Sequence, residues 1–137
     1  MRRSIAGGFL ALALVWFMAS GPADAGPPPP DMPAAVHFAQ DSTDLSDEAR
    51  AVVDRWAAWM AGDPDATVRI EGHAGDQGTS EYSLGLGERL AGAVKIYLVN
   101  RGIDPGRIAT ISYGKEMSVA ADRDIADRHV VLVALPQ

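Results

Sequence analysis

Residues 66–98 constrain the fold most, because their hydrophobic period changes across one short glycine-rich loop. Residues 66–73 alternate, with Val68 and Ile70 on the same side, which is typical of a half-buried β-strand. Beyond Thr79, a suitable N-cap, apolar residues recur every three or four positions, as on the buried side of an α-helix. The predicted buried positions of this helix are Leu84, Gly87, Ala91, Val94 and Leu98.

A similar strand and helix come earlier in the chain. The first strand places Val36 and Phe38 on one side and His37 on the other. Ser46 can cap the helix that follows, and Gly62 can end it. The predicted apolar stripe of this helix contains Ala49, Val52, Val53, Trp56 and Met60.

Two more strands follow the second helix. Residues 107–114 form one of them, after a turn at residues 104–106. Residues 130–135 are apolar on both sides, which indicates a central strand, and Pro136 closes it. The order βαβαββ predicts an α+β fold, in which a mixed sheet carries both long helices on one face.

The N-terminal residues are predicted to be a targeting segment. Arg2 and Arg3 precede an apolar run, and small residues at positions 23 and 25 suit a signal peptidase, so residues 1–25 are interpreted as a secretory signal. An uncleaved membrane anchor is the alternative, although the run is shorter than the roughly 20 apolar residues that a spanning helix needs. The proline-rich residues 26–34 are expected to form an extended linker.

Charge and cysteine content exclude several classes of partner. The formal charge is −6 and becomes −7 without residues 1–25, because two arginines and one aspartate are removed. An acidic domain is a poor partner for nucleic acid, and electrostatic binding to anionic lipid is equally unfavourable. The chain has no cysteine, which excludes disulfides, thiolate metal sites and an acylated cysteine as a lipid anchor.

Catalysis receives little support from the sequence. Ser80, His73 and Asp76 could supply a nucleophile, a base and an orienting acid, but no strained nucleophile turn surrounds the serine. We therefore expect that the chain is not an enzyme.

Metal and phosphate sites are also disfavoured. His37, His73 and His129 lie at or beside three strand ends, yet no His-x-x-x-His pair supports a metal site. The loop glycines at residues 72–78 lack both the dinucleotide spacing and a Gly-Lys-Ser/Thr ending. No metal or cofactor is expected.

The loop does suit a small charged ligand. The free N–H groups at a helix N-terminus favour an anionic group, and carboxylates on the loop could bind a cation. A zwitterionic ligand would satisfy both.

Three segments resemble the OmpA-like domain family, in its peptidoglycan-associated, Pal-type form. They are VHFAQDSTDL at residues 36–45, the long run at residues 68–116 that contains EGHAGDQGTSEYSLGLGERLAGAV, and DRHVVLVA at residues 127–134. The resemblance implies a two-layer sandwich domain over residues 35–135.

The resemblance also implies a ligand and the residues that hold it. Members of the family bind the peptide stem of peptidoglycan through the amino-acid end of meso-diaminopimelate, with an aspartate for the ammonium and an arginine for the carboxylate. Here Gly75 occupies the aspartate position and Leu90 the arginine position, whereas Asp76 comes one residue later. Arg89 comes one residue earlier on the helix, which corresponds to a rotation of about 100°.

The closing motif of the family is altered as well. Asn-Arg-Arg becomes Asp127, Arg128 and His129, and Asp41 matches a polar position near the ligand. The candidate ligand-binding residues are therefore Asp41, Asp76, Thr79, Arg89 and Arg128. The altered pocket positions are Gly75, Leu90 and Asp127.

Two functions follow as expectations. The first is a non-catalytic peptidoglycan-binding module with weakened or altered binding, in the periplasm of a Gram-negative-type bacterium and associated with the outer membrane or cell wall. The second is a degenerate OmpA-like domain that no longer binds peptidoglycan and instead has a structural or protein-interaction role, with envelope proteins as partners.

Overall fold

A computed structural model of the chain describes residues 28, 32–40, 42–75, 78–115 and 128–136. These residues form the predicted order of strands and helices, with one short 3₁₀-helix added. The elements are β1 (Ala35–Phe38), α1 (Asp47–Gly62), β2 (Val68–His73), α2 (Ser80–Asn100), the 3₁₀-helix (Pro105–Arg107), β3 (Ile108–Gly114) and β4 (Arg128–Ala134). The α+β prediction is confirmed.

Both long helices begin at the residues that the sequence indicates. The Ser46 hydroxyl accepts a hydrogen bond from the Ala49 N–H, and the Thr79 hydroxyl accepts one from the Tyr82 N–H. Each bond satisfies one of the N–H groups that a helix leaves free in its first turn.

The sheet has the strand order β1-β4-β2-β3. β4 pairs antiparallel with both β1 and β2, while β2 and β3 are parallel neighbours joined through α2. The last strand of the chain therefore lies between the first two, which confirms the prediction of a central strand. One consequence is that the end of β2, the end of β3 and the start of β4 meet at the same edge of the sheet.

One side of the sheet packs against both helices and forms the core. Val36, Ile70 and Val130 from three strands are at most 1 % exposed, and they belong to a cluster that also contains Trp56 of α1 and Leu98 of α2. The predicted α2 stripe is wrong at one residue. Leu84 is 47 % exposed, because Ser83, Leu86 and Leu90 are the residues that turn inward.

Two glycines set the closest approach between α2 and the sheet. A Cβ atom on Gly72 would lie 2.0 Å from the backbone oxygen of Gly87, and one on Gly87 would lie 2.1 Å from Ser112 Oγ. Real Cβ atoms do not approach other atoms so closely, so a side chain at Gly72 would push the α2 backbone away from the sheet, and one at Gly87 would displace the Ser112 hydroxyl.

The segment before β1 docks on the domain where the structure describes it. The Trp56 indole N–H donates to the Pro33 carbonyl at 2.8 Å, and Met32 and Ala34 pack against the core. The predicted signal, residues 1–25, lies outside the described residues. Within the described part of the chain, no helix has the length and apolar character needed to cross a membrane.

Candidate functional site

The loop between β2 and α2 begins in buried backbone and ends at a helix cap. Ala74 is 4 % exposed, and Gly75 is buried with a φ of 77°. Gly78, just before the Thr79 cap, has a φ of 90°. Both φ values lie in the left-handed region, which glycine occupies without strain. Residues 76 and 77, between these two turns, lie outside the described residues.

Both ends of the loop are bonded to the end of β3. The Ala74 N–H donates to the Gly114 carbonyl at 2.9 Å, and the Lys115 ammonium donates to the Gly78 carbonyl at 3.2 Å. A depression of about 300 Å³ lies next to these contacts, between the first turns of α2 and the end of β3. Its lining residues are Ser80, Glu81, Leu84, Ser112, Tyr113, Gly114 and Lys115.

Four aromatic side chains cross the sheet on the side away from the helices, one from each strand. The rings of His73 and His129 are stacked, with centroids 4.6 Å apart and an interplanar angle of 7°. Tyr113 stacks on the other face of the His73 ring, with centroids 5.4 Å apart. The centroid of the His37 ring lies 5.9 Å from that of His129. We call Tyr113, His73, His129 and His37 the histidine row.

His73 is the buried member of this row. It is 5 % exposed, and its Nε2 has no hydrogen-bond partner among the described residues. Burial lowers the pKa of His73 below its ordinary value, the nearby His129 lowers it further, and Glu71 acts in the opposite direction. Glu71 itself binds Arg69 at 3.0 Å and accepts a hydrogen bond from the Tyr113 hydroxyl at 3.2 Å. The geometry therefore favours a neutral His73 imidazole.

The three histidines do come together, but not as a metal site. Stacked rings present their faces to each other, whereas ligands to one ion must direct nitrogen lone pairs to a common point. Across the described ranges, no group of three or more histidine, aspartate or glutamate side chains is arranged to hold a metal ion. His73 also makes no described hydrogen bond to Ser80, so the described residues do not form the nucleophile–base contact that a triad requires.

The structure describes five of the eight site positions that the sequence singles out. Thr79 is a helix cap, and Gly75 forms the first turn of the loop. Arg128 is half-buried and begins β4, next to the register pair His73–His129, so it lies beside the start of the loop. Asp41, Asp76 and Asp127 lie outside the described residues.

The remaining two positions are on α2 and face in different directions. Leu90 is 0 % exposed and belongs to the hydrophobic core. Arg89 is exposed and lies about 14 Å along the helix axis from Ser80, at a rise of about 1.5 Å per residue. Arg89 therefore presents its charge to solvent, away from the side that Leu90 occupies.

Sequence reasoning missed three residues around the loop. Lys115 and Gly114 hold the loop ends, and Tyr113 stacks on His73. A glycine after an alternating strand signals a turn. The residues that contact this turn, however, lie about 40 positions further along the chain. Only the parallel pairing of β2 with β3 brings them together.

These features define a two-layer α+β domain with a buried glycine loop at one sheet edge, and the comparisons identify its family. The OmpA family profile matches residues 37–130, so the chain belongs to the OmpA family. The chain is 48 % identical over 91 residues to a peptidoglycan-associated lipoprotein of Rhizobium meliloti, covering 66 % of this chain and 52 % of the relative. It is 40 % identical over 91 residues to the protein of that name in Haemophilus influenzae, covering 66 % of this chain and 60 % of the relative.

Solved structures agree with the fold. The crystal structure of the peptidoglycan-associated lipoprotein from Burkholderia pseudomallei matches with a TM-score of 0.67 and 29 % identity, covering 75 % of this chain and 91 % of that chain. The C-terminal domain of Helicobacter pylori MotB matches with a TM-score of 0.65 at 16 % identity, covering 75 % and 84 %, which shows the fold alone.

The chain spans about half the length of the first curated relatives that it matches, 52 % and 51 %. The similarity therefore concerns the domain that the chain shares with them. The relatives at 29 % to 48 % identity are named as peptidoglycan-associated lipoproteins, and the prediction that this chain is not an enzyme agrees with that name.

Proposed function

We propose that the chain is a non-catalytic module of the bacterial cell envelope that binds the peptide part of peptidoglycan. The observation that carries the proposal is the 48 % identity to a peptidoglycan-associated lipoprotein over 91 residues. The periplasm is the compartment that fits such a ligand. The predicted signal at residues 1–25 belongs to the same proposal.

The ligand chemistry that we propose is zwitterionic. Asp76 would receive the ammonium group, because it is the acidic residue nearest the family's aspartate position. Arg128, which lies at the start of β4 beside the loop, would bind a carboxylate of the ligand. Asp41 is a third candidate contact, while Thr79 contributes through the helix cap that it forms.

The environment of Leu90 supports a weaker ligand interaction than the family pattern implies. A guanidinium at this position would have to leave the core or be buried without water, which is costly for a charged group. The same observation favours the alternative function, a protein-interaction domain that has lost the ligand. Restoring an arginine at position 90 is thus a poor test, since the variant would lose core packing.

The decisive measurement is co-sedimentation of the folded protein with purified peptidoglycan sacculi over a range of low salt concentrations. We expect wild-type protein to bind and Asp76→Asn to bind about tenfold more weakly, since a hydrogen bond to a charged group is worth about 1.5–3 kcal/mol. Asp65→Asn is the matched control, because Asp65 is exposed and precedes β2 at its opposite end. No binding by folded wild-type protein would overturn the proposal in favour of the alternative.

A second variant tests the position of the aspartate. The double change Gly75→Asp with Asp76→Gly keeps the net charge and alters no residue of the hydrophobic core cluster. Aspartate tolerates the left-handed backbone better than most residues, so the φ of 77° at position 75 is compatible with it. We expect tighter binding to sacculi, competed by free meso-diaminopimelate. Weaker binding with an unchanged melting temperature would mean that Asp76 already occupies the productive position.

A further inference from the structure

The last residues of β3 and the lysine that follows contact both ends of the ligand loop and the first turns of α2. We call Ser112, Gly114 and Lys115 the β3 corner. The Gly114 carbonyl accepts a hydrogen bond from the Ala74 N–H, and the Lys115 ammonium donates one to the Gly78 carbonyl. Two loop residues that are only four positions apart in the chain are thus attached to consecutive residues of the corner.

The corner itself is held firmly against α2. Ser112 Oγ donates to the Leu84 carbonyl at 2.7 Å and accepts from the Gly114 N–H at 3.2 Å. A Cβ on Gly114 would lie 3.0 Å from the Leu84 nitrogen, and Gly114 has a φ of 58°. A glycine is therefore favoured at the point where the strand end meets the helix, because any other residue would combine a left-handed backbone with a tight contact. The corner offers the loop a fixed support.

We propose that Lys115 is a positioning residue for the ligand loop. It holds the Gly78 carbonyl and so determines where the loop joins the Thr79 cap, while the Gly114 carbonyl determines where the loop leaves β2. A charged donor makes a stronger bond than a neutral one, which suits a contact that is exposed to water. The role of Lys115 in ligand binding rests on the proposed function, but its role in holding the loop does not.

The test compares Lys115→Met with Lys95→Met in the full chain. Lys95 is the other lysine of the chain and lies on α2, so both variants remove one positive charge. We expect the amides of Tyr82 and Ser83, which donate to the Thr79 cap, to exchange with solvent about two- to tenfold faster in Lys115→Met than in wild type, as the loss of one hydrogen bond implies. Core amides such as Leu132 and the melting temperature should change little. Lys115→Arg, which keeps a charged donor, should restore slow exchange.

Sacculus affinity is the second readout. Lys115→Met should weaken binding about two- to tenfold while Lys95→Met binds as wild type does. Equal losses in the two variants would indicate a net-charge effect and overturn the proposal, as would unchanged exchange at Tyr82 and Ser83 in Lys115→Met. If wild-type protein fails to bind sacculi, the proposed function is wrong, whereas the exchange measurement still decides whether Lys115 holds the loop.

Discussion

The helix side of the sheet and its outer side are built from the same four strands but from different kinds of side chain. On the helix side, Val36, Ile70 and Val130 are at most 1 % exposed and pack against both helices. On the outer side, the histidine row crosses the sheet, with an Arg69–Glu71 ion pair next to it. The first side gains stability from close packing, which is insensitive to pH, and the second carries groups whose charge depends on pH.

The largest expected effect comes from the helix side. Gly72→Ala would place a Cβ 2.0 Å from the Gly87 oxygen, so α2 would have to move away from the sheet. We expect the free energy of unfolding to fall by about 3 kcal/mol, the upper end for overpacking. Thermal and urea unfolding measure this change.

Gly92→Ala is the matched control for that variant. Among the described residues, no atom outside the local helix backbone lies within 4 Å of a Cβ at Gly92, which lies inside α2. Alanine should stabilise the helix there by about 0.5–1 kcal/mol. Similar destabilisation in both variants would contradict the close approach at Gly72.

A smaller effect is expected on the outer side, and it should depend on pH. His73 has a folded pKa below its ordinary value of 6.5, so the unfolded chain takes up the proton first as the pH falls. The contribution of neutral His73 to the free energy of unfolding is complete above pH 6.5. It is lost as the pH decreases through 6.5 towards the lower folded pKa. We expect His73→Phe, which keeps a stacked ring, to lose less stability than wild type between about pH 7.5 and about pH 5.5.

Melting temperatures at the two pH values measure that slope. His37→Phe is the control, because His37 is exposed at the far end of the row. The difference in slope between the two variants isolates the contribution of the buried ring. An identical slope in wild type and His73→Phe would show that burial of this imidazole does not contribute to acid sensitivity.

The smallest effect should come from the ion pair beside the row. Glu71→Gln removes the charge that binds Arg69, whose side chain is 40 % exposed. Partly exposed pairs contribute about 0.2–1 kcal/mol, so stability at neutral pH should change little. Because Glu71 opposes the lowering of the His73 pKa, the His73 titration followed by NMR should move to lower pH. A shift to higher pH would mean that another group controls His73.

Sequence reasoning was reliable where the signal is local. The caps at Ser46 and Thr79, the burial of Val68 and Ile70, and the central position of β4 all follow from short-range pattern and are confirmed. It was wrong at Leu84, because periodicity near a helix start does not fix which residues face the sheet. That choice depended on where Gly72 and Gly87 allow the helix to approach.

For the candidate site, the sequence supplied the loop and the structure supplied its surroundings. Local pattern alone determined a strand that ends in glycine turns and a capped helix, since these depend on backbone propensity and neighbouring residues. Only the tertiary structure placed Leu90 in the core, stacked His73 on His129 and joined Lys115 to Gly78. Those contacts join residues far apart in the chain, and they exist because strand pairing brings three strand ends to one edge of the sheet.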